Sequence, residues 1–271
     1  MLIYPTKQAP FSGLAGMGGG TSSLVVSSIE KPGPPGCDYY WDFGSSENAS
    51  FNEQHGSGVD FTTNQARMAL QNTEVGGPPG FTAAGKTSGT YAGDDLLQTS
   101  NNSIPDMTGD FTFDFAIYNP HGVAPNQSIP WCFAATDDGS YQTYIYNYYG
   151  SARFDMANQT FQDRIGEAGM NSNYVEDVWC VSRLRRSGNT MYAVWYYLDS
   201  GSWTMQGSEV STSVSGYGPS KSGSNTGGGS KGHFMIGGWD NNSSFSISSS
   251  WYAWAAFWKS SHSDTPWMGP T

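Results

Sequence analysis

Trp251-Tyr252-Ala253-Trp254-Ala255-Ala256-Phe257-Trp258-Lys259-Ser260-Ser261-His262-Ser263-Asp264 is an aromatic run that ends in a short polar turn. Just upstream, Phe234-Met235-Ile236-Gly237-Gly238-Trp239 is apolar and breaks at two glycines. Aromatic side chains suit a pleated sheet surface, and the breaks cut both runs to strand length. The two segments read as the closing strands of a β-sandwich.

Working outward, Phe111, Phe113, Phe115 and Ile117 alternate with Thr112, Asp114 and Tyr118. This period of two predicts an antiparallel strand with one face in the core and the other polar. Tyr39 to Phe43 is a short aromatic strand ending at Gly44. Ile129 to Thr136 and Tyr141 to Tyr149 flank Asp137-Asp138-Gly139-Ser140, and Val178 to Arg185 and Met191 to Leu198 flank Arg186-Ser187-Gly188-Asn189. Both read as hairpins by their turn chemistry. Trp203 to Val210 follows the turn Asp199-Ser200-Gly201. Gln65 to Gln71 fits one or two helical turns or a strand. Ser215 to Gly232 is glycine-rich without an apolar pattern and reads as a surface loop. There is no internal repeat, and a dozen or so short strands predict a two-sheet sandwich.

Composition points the same way. The 271 residues are 15% aromatic and only 13% charged, a charged share about half the usual one. Helix surfaces need Glu, Lys and Arg, so a helical protein is disfavoured. The net charge of −11 repels phosphate backbones and anionic lipid, so neither nucleic acid nor a membrane surface is an expected partner. Cys37, Cys132 and Cys180 have no metal-type spacing; they read as three thiols, with one disulfide plus a free thiol as the alternative.

Residues 1–36 differ from the rest. Phe11 to Gly20 has no structural period, and Lys31-Pro32-Gly33-Pro34-Pro35-Gly36 continues neither helix nor central strand. Tyr4, Phe11, Leu14, Met17, Leu24, Val25, Val26 and Ile29 are many apolar residues for a solvated tail. We read an extended arm and linker over 1–36 that docks on an assembly, followed by one sandwich over 37–271. Leu24-Val25-Val26 is too short for a signal-peptide core or a membrane span. Asn-x-Ser/Thr triplets such as Asn48-Ala49-Ser50 and Asn158-Gln159-Thr160 are accordingly not expected to be glycosylated.

Tyr40-Trp41-Asp42-Phe43-Gly44, Gly109-Asp110-Phe111-Thr112-Phe113, Trp179-Cys180-Val181-Ser182-Arg183 with Ser187 to Tyr192, Ile236-Gly237-Gly238, and Ala256 to Lys259 with Ser263-Asp264 occur in an order and spacing that resembles laminin-G-like domains of the concanavalin A-like superfamily. The resemblance covers most of residues 39–264 and implies a jelly-roll sandwich that binds more often than it catalyses. Two departures matter. His262-Ser263-Asp264 stands where many members have Leu-Ser-Asp, and the acidic loop after the first strand holds only Glu47 and Glu53. Both weaken the case for a family-type calcium site. Residues 1–30 also resemble the glycine-rich arms of bacteriophage structural proteins. A lectin-like domain without a secretion signal needs another route out of the cell, and a particle released by lysis supplies one.

Motifs for catalysis are absent from the sequence. No Glu-x-Asp-x-x-Glu places two carboxylates on one strand face, and Glu176-Asp177 would point to opposite faces. His55, His121, His233 and His262 are present, but Gly56-Ser57-Gly58 is no nucleophile elbow, and Gly16 to Gly20 lacks the Lys-Ser/Thr of a phosphate loop. Calcium needs several hard oxygens; Asp137 and Asp138, Asp240-Asn241-Asn242, or Asp94-Asp95 offer some, though Asp and Asn serve turns equally well. Sugars stack on aromatic rings beside hydroxyl-binding amides and carboxylates. Trp239 with Asp240, Asn241 and Asn242, and Tyr144 and Tyr146 of the tyrosine ladder, have that composition; packing within sheets or a subunit contact competes for each.

The sequence thus predicts an all-β jelly roll with an N-terminal arm and no required cofactor. The expected function is non-enzymatic: a structural protein of a virus particle, a capsid decoration or tail component of a bacteriophage. It is made in the host cytoplasm, oligomeric in the assembly, anchored to other virion proteins, with an outward face for stabilisation or cell-surface glycan adhesion. A soluble lectin and a polysaccharide-cleaving enzyme are the alternatives.

Overall fold

The computed structural model describes residues 31–45, 51–63, 68–87, 97–99, 104–107, 109–118, 131–136, 142–148, 153–158, 161–165, 177–213, 233–236 and 250–270. These residues form β1 (Tyr39–Asp42), β2 (Phe61–Thr63), β3 (Met68–Asn72), β4 (Ala84–Thr87), β5 (Leu97–Thr99), β6 (Phe111–Tyr118), β7 (Trp131–Thr136) and β8 (Gln142–Tyr148). They continue as β9 (Arg153–Asn158), β10 (Phe161–Ile165), β11 (Trp179–Ser187), β12 (Thr190–Asp199), β13 (Ser202–Ser213), β14 (His233–Ile236) and β15 (Trp251–Trp258). Residues 1–30 lie outside the described residues, and with them Tyr4, Phe11, Leu14, Met17, Leu24 and Val25 of the expected arm; Ser215 to Gly232 lie outside as well. The compact unit runs from Lys31.

The strands make an all-β, two-sheet antiparallel sandwich of jelly-roll type. One sheet has eight strands, ordered β13-β12-β11-β6-β15-β4-β3, with β1 also on β15; the other has seven, ordered β10-β9-β8-β7-β14-β5-β2. β15 is central. One edge pairs with β6, and its other edge is shared between β4 at Trp251 and Tyr252 and β1 from Trp254 to Phe257. The β12–β13 hairpin closes on Ser200 and Gly201, both at positive φ (49° and 80°), as a two-residue turn matched to strand twist requires. Met68–Asn72 is extended and pairs with β4, which settles the Gln65 to Gln71 ambiguity in favour of strand for that part.

The alternation along β6 places its aromatic residues between the sheets. Phe113 is fully buried, with ring centroids 4.7 Å from Trp131, 4.8 Å from Phe133 and 5.5 Å from Phe234. Phe111, Phe115 and Ile117 belong to the same cluster, as do Trp41, Phe43, Phe61 and Phe257. Edge-to-face geometry of this kind adds to the area these rings bury.

The other face of β6 departs from the sequence expectation. Thr112, Asp114 and Ala116 are as buried as the phenylalanines. The outer face of the eight-stranded sheet carries a second apolar cluster that includes Tyr40, Val181, Val194, Tyr196, Trp254 and Trp258. A register shift between Tyr252 and Trp254 puts both Ala253 and Trp254 on that face. The face is covered by the segment after β15, by Val75 and Phe81, and by Cys37. Gly269 and Gly80 let the cover close: at φ +106°, a Cβ on Gly269 would sit 1.9 Å from the Pro79 carbonyl, and one on Gly80 would sit 2.4 Å from the Pro270 carbonyl.

Burying one Phe stabilises by roughly 1.5–3 kcal/mol, and a cavity adds to the loss on truncation. Phe113→Ala is expected to cost about 3–5 kcal/mol, read as a lower urea midpoint with secondary structure retained in water. An unchanged midpoint would contradict its place in the core.

Candidate functional site

Most side chains singled out from the sequence lie outside the described residues: Trp239, Asp240, Asn241, Asn242, Asp137, Asp138, Asp94 and Asp95. Tyr144 and Tyr146 fall in β8 at register positions opposite Ala134 and Cys132 of β7, but their side chains are outside the description. Among the described residues no three His, Cys, Asp or Glu side chains converge to hold a metal ion.

One cluster looks catalytic at first sight. The Cys37 Sγ lies 3.8 Å from Nε2 of His55, with Glu53 two residues before His55. The chemistry fails at each member. His55 Nε2 is 2.8 Å from the Pro32 carbonyl, so it carries the proton and donates it there; it cannot also be the base for the thiol. Burial, followed by the charge of Glu53, pushes the Cys37 thiol up to about 12, far from a reactive thiolate. Glu53 is buried with its carboxylate accepting the backbone N–H groups of Tyr40, His55 and Ser57, each at 2.8 Å. The cluster organises the loop after β1.

A different place combines space with polar chemistry. It is a cavity of about 450 Å³ where the cover meets the outer face of the eight-stranded sheet, within the roughly 300–1,000 Å³ typical of small-ligand sites. β6 supplies Asp114, β11 supplies Arg183 and the end of β15 supplies Trp258. The segment after β15 adds Ser260, His262, Asp264, Thr265 and Trp267, and Pro34 to Gly36 complete the lining.

Strand register dictates the polar centre. Asp114 and Arg183 are direct partners across β6 and β11. Arg183 Nε donates to Oδ1 and Nη2 to Oδ2 of Asp114, both at 2.7 Å, with Arg183 1% and Asp114 0% exposed. Nη1 donates to the Asp264 backbone carbonyl, so the pair also ties down the segment above it. The Arg183 guanidinium lies 5.4 Å from the Tyr196 ring centroid. Such a bidentate pair engages both carboxylate oxygens and, with Asp114 fully buried, favours a structural role over acid–base work.

The cover is pinned by further bonds. Thr112 Oγ1 donates to the Ser260 carbonyl at 2.9 Å and accepts the His262 N–H at 3.0 Å. Trp203 Nε1 donates to the Trp267 carbonyl at 2.9 Å, and Trp258 Nε1 to the Pro35 carbonyl at 3.2 Å. Residues 31–36, a linker by sequence, therefore contact the sandwich. The Trp267 ring meets Trp254, Tyr40 and Phe81 edge-on at 5.5, 5.8 and 5.9 Å. His262 packs edge-on to Trp258 at 4.7 Å. Its buried ring nitrogens, Nδ1 and Nε2, have no hydrogen-bond partner among the described residues. Burial lowers the His262 pKa, with Asp114 opposing that shift and Arg183 adding to it.

Sequence reasoning noted Arg183 and His262-Ser263-Asp264 only as parts of motifs and missed the site. Asp114 carried the signal. A lone carboxylate among Phe111, Phe113 and Phe115 needs a partner if its face is covered.

No family model matches the chain, and no curated protein sequence matches it. Solved structures align with the chain at low identity and low TM-score. The binding domain of botulinum neurotoxin serotype D aligns with TM-score 0.47 and 9% identity over 84% of this chain and 48% of that one. The sialidase of Trypanosoma rangeli aligns with TM-score 0.42 and 11% identity over 87% and 34%. The CBM2 module of an evolved Dit from Lactobacillus casei BL23 phage J-1 aligns with TM-score 0.30 and 12% identity over 83% and 90%. This chain spans less than half the length of the first two.

Removing one partner of a buried ion pair leaves the other charge uncompensated. Asp114→Asn is expected to destabilise the sandwich by about 3–5 kcal/mol in chemical denaturation. Replacing Asp114 and Arg183 together by Leu and Met should recover most of that loss. Equal losses in the single and double variants would contradict the coupling.

Proposed function

We propose that the chain is a non-enzymatic glycan-binding structural protein of a virus particle. One observation carries the binding part: a cavity of about 450 Å³ in which two tryptophans, Trp258 and Trp267, lie beside His262, Asp264, Ser260 and Thr265. Sugar rings offer C–H faces to aromatic surface and hydroxyls to carboxylate and hydroxyl groups, so this composition suits them. Binding rather than cleavage is favoured by the state of the groups present. Asp114 has both oxygens on Arg183, the Cys37 thiol is held protonated, and among the described residues no carboxylate bonds either nitrogen of His262.

Binding in solution is the direct test. Neutral oligosaccharides should quench tryptophan fluorescence saturably, and Ser260→Trp, which fills the cavity from an exposed backbone position, should abolish the effect without lowering the melting temperature. No reducing ends should be released. Quenching that survives Ser260→Trp would place the site elsewhere, and turnover that depends on one Asp, Glu or His would make the protein an enzyme.

The particle setting rests on the sequence: the laminin-G-like pattern over residues 39–264, an arm rich in apolar and glycine residues, and its resemblance to bacteriophage arms. In this reading the arm buries its apolar residues on neighbouring virion proteins and adds backbone hydrogen bonds to a sheet edge, and the sandwich faces outward on a capsid or tail. The alternative is a soluble lectin. Deleting residues 1–30, which spares the docked Lys31 to Gly36, separates the two. A particle protein should keep its melting temperature and lose incorporation; normal incorporation, or a domain that no longer folds, would defeat the assignment.

A further inference from the structure

We propose that the outer-face cavity selects an uncharged sugar ring and rejects acidic sugars. This rests on the glycan-binding reading and narrows it to a ligand class.

Recognition of a uronic or sialic acid needs a cation free to pair with the carboxylate. Among the described residues lining the cavity there is one guanidinium, and it is already engaged. Arg183 holds both oxygens of Asp114 at 2.7 Å through Nε and Nη2, while Nη1 donates to the Asp264 carbonyl. An acidic ligand would have to displace a buried carboxylate from a two-point contact. The remaining charge in the lining has the wrong sign. The Asp264 side chain is exposed, and among the described residues no Lys, Arg or His lies within ion-pair distance of its carboxylate. His262 does not offset it: burial holds it below its ordinary pKa, with Arg183 and Arg185 adding to the shift and Asp114 and Asp264 opposing it. The chain's net charge of −11 acts in the same direction at longer range.

The same groups suit a neutral ring. A carboxylate accepts hydroxyl protons, which makes Asp264 an acceptor for a sugar diol. A hydroxyl can donate or accept, so the exposed Ser260 and Thr265 complement Asp264 toward a sugar diol. The His262 ring nitrogens are buried, and the ring shapes the wall of the cavity. Trp267, half-buried at the rim, supplies the apolar surface for the C–H face, with the buried Trp258 beneath it.

The experiment titrates the full chain with methyl glycosides of glucose, galactose, mannose and N-acetylglucosamine. Methyl glucuronide, methyl galacturonide and N-acetylneuraminic acid form the acidic set. Saturation-transfer NMR and tryptophan fluorescence report binding. At least one neutral glycoside should bind, with its acidic counterpart about tenfold weaker, or about 1.4 kcal/mol. Asp264→Asn should close most of that gap, chiefly by admitting the acid. The fold should be unaffected, because Arg183 uses the Asp264 backbone carbonyl and not the side chain. Acids binding as tightly as neutral glycosides, with Ser260→Trp abolishing both, would overturn the selectivity and leave the glycan reading standing. A gap unchanged in Asp264→Asn would overturn the role given to that carboxylate. Failure of every probe to bind would overturn the glycan reading and this inference with it.

Discussion

All eight side chains of β15 are buried, and a strand buried along its whole length must be covered on both faces. Tyr252, Ala255 and Phe257 meet the seven-stranded sheet, while Trp251, Ala253, Trp254, Ala256 and Trp258 face the other way. An ordinary sandwich would leave that outer face to water. Here it carries three tryptophans on one strand, and exposing them would create a large apolar patch. The segment after β15, the residues around Phe81 and the approach to β1 make a third layer, with Trp267 as its central contact.

The third layer explains the buried charges. Once the outer face of β6 is covered, Asp114 loses water, and only a fully bonded partner makes that tolerable. Arg183 is placed by register to be that partner, and its spare nitrogen reaches the Asp264 carbonyl. The ion pair thereby joins two strands to the layer that buried it. The cavity lies beside this junction, where Pro34, Pro35 and the residues following Trp258 meet the sheet without filling the space between them.

The sequence was legible where one period dominated. β6 announced itself by strict alternation, β15 by its aromatic run, and the β11–β12 and β12–β13 hairpins by glycine turns. β2 and β5 are three residues long, too short for a period to register. Arg153–Asn158 and Phe161–Ile165 mix charged and apolar residues without strict alternation, and their pairing depends on neighbours in the sheet. The outer face was misread for a physical reason. Thr112 and Asp114 look like a solvated face locally, and the cover from residues 259–270 and the approach to β1 change their environment. Trp267 sits between Pro266 and Met268, where no periodicity marks it as packing on the outer-face cluster. The aromatic and acidic candidates around Trp239 and the tyrosine ladder rest on composition, and their side chains lie outside the described residues.

The central place of β15 also governs how the molecule is made. Tyr39 pairs with Phe257, about two hundred residues downstream, and β4 and β6 wait for the same strand. Contacts so distant along the chain slow folding, because loops must close before they are rewarded. On the ribosome, β1, β4 and β6 are synthesised well before the strand that joins them, and their unpaired edges are open to one another and to other nascent chains. Yield in the cell should therefore fall with expression rate even when the finished protein is stable. The aromatic strand that closes the sheet sets the interval during which the chain is exposed to aggregation.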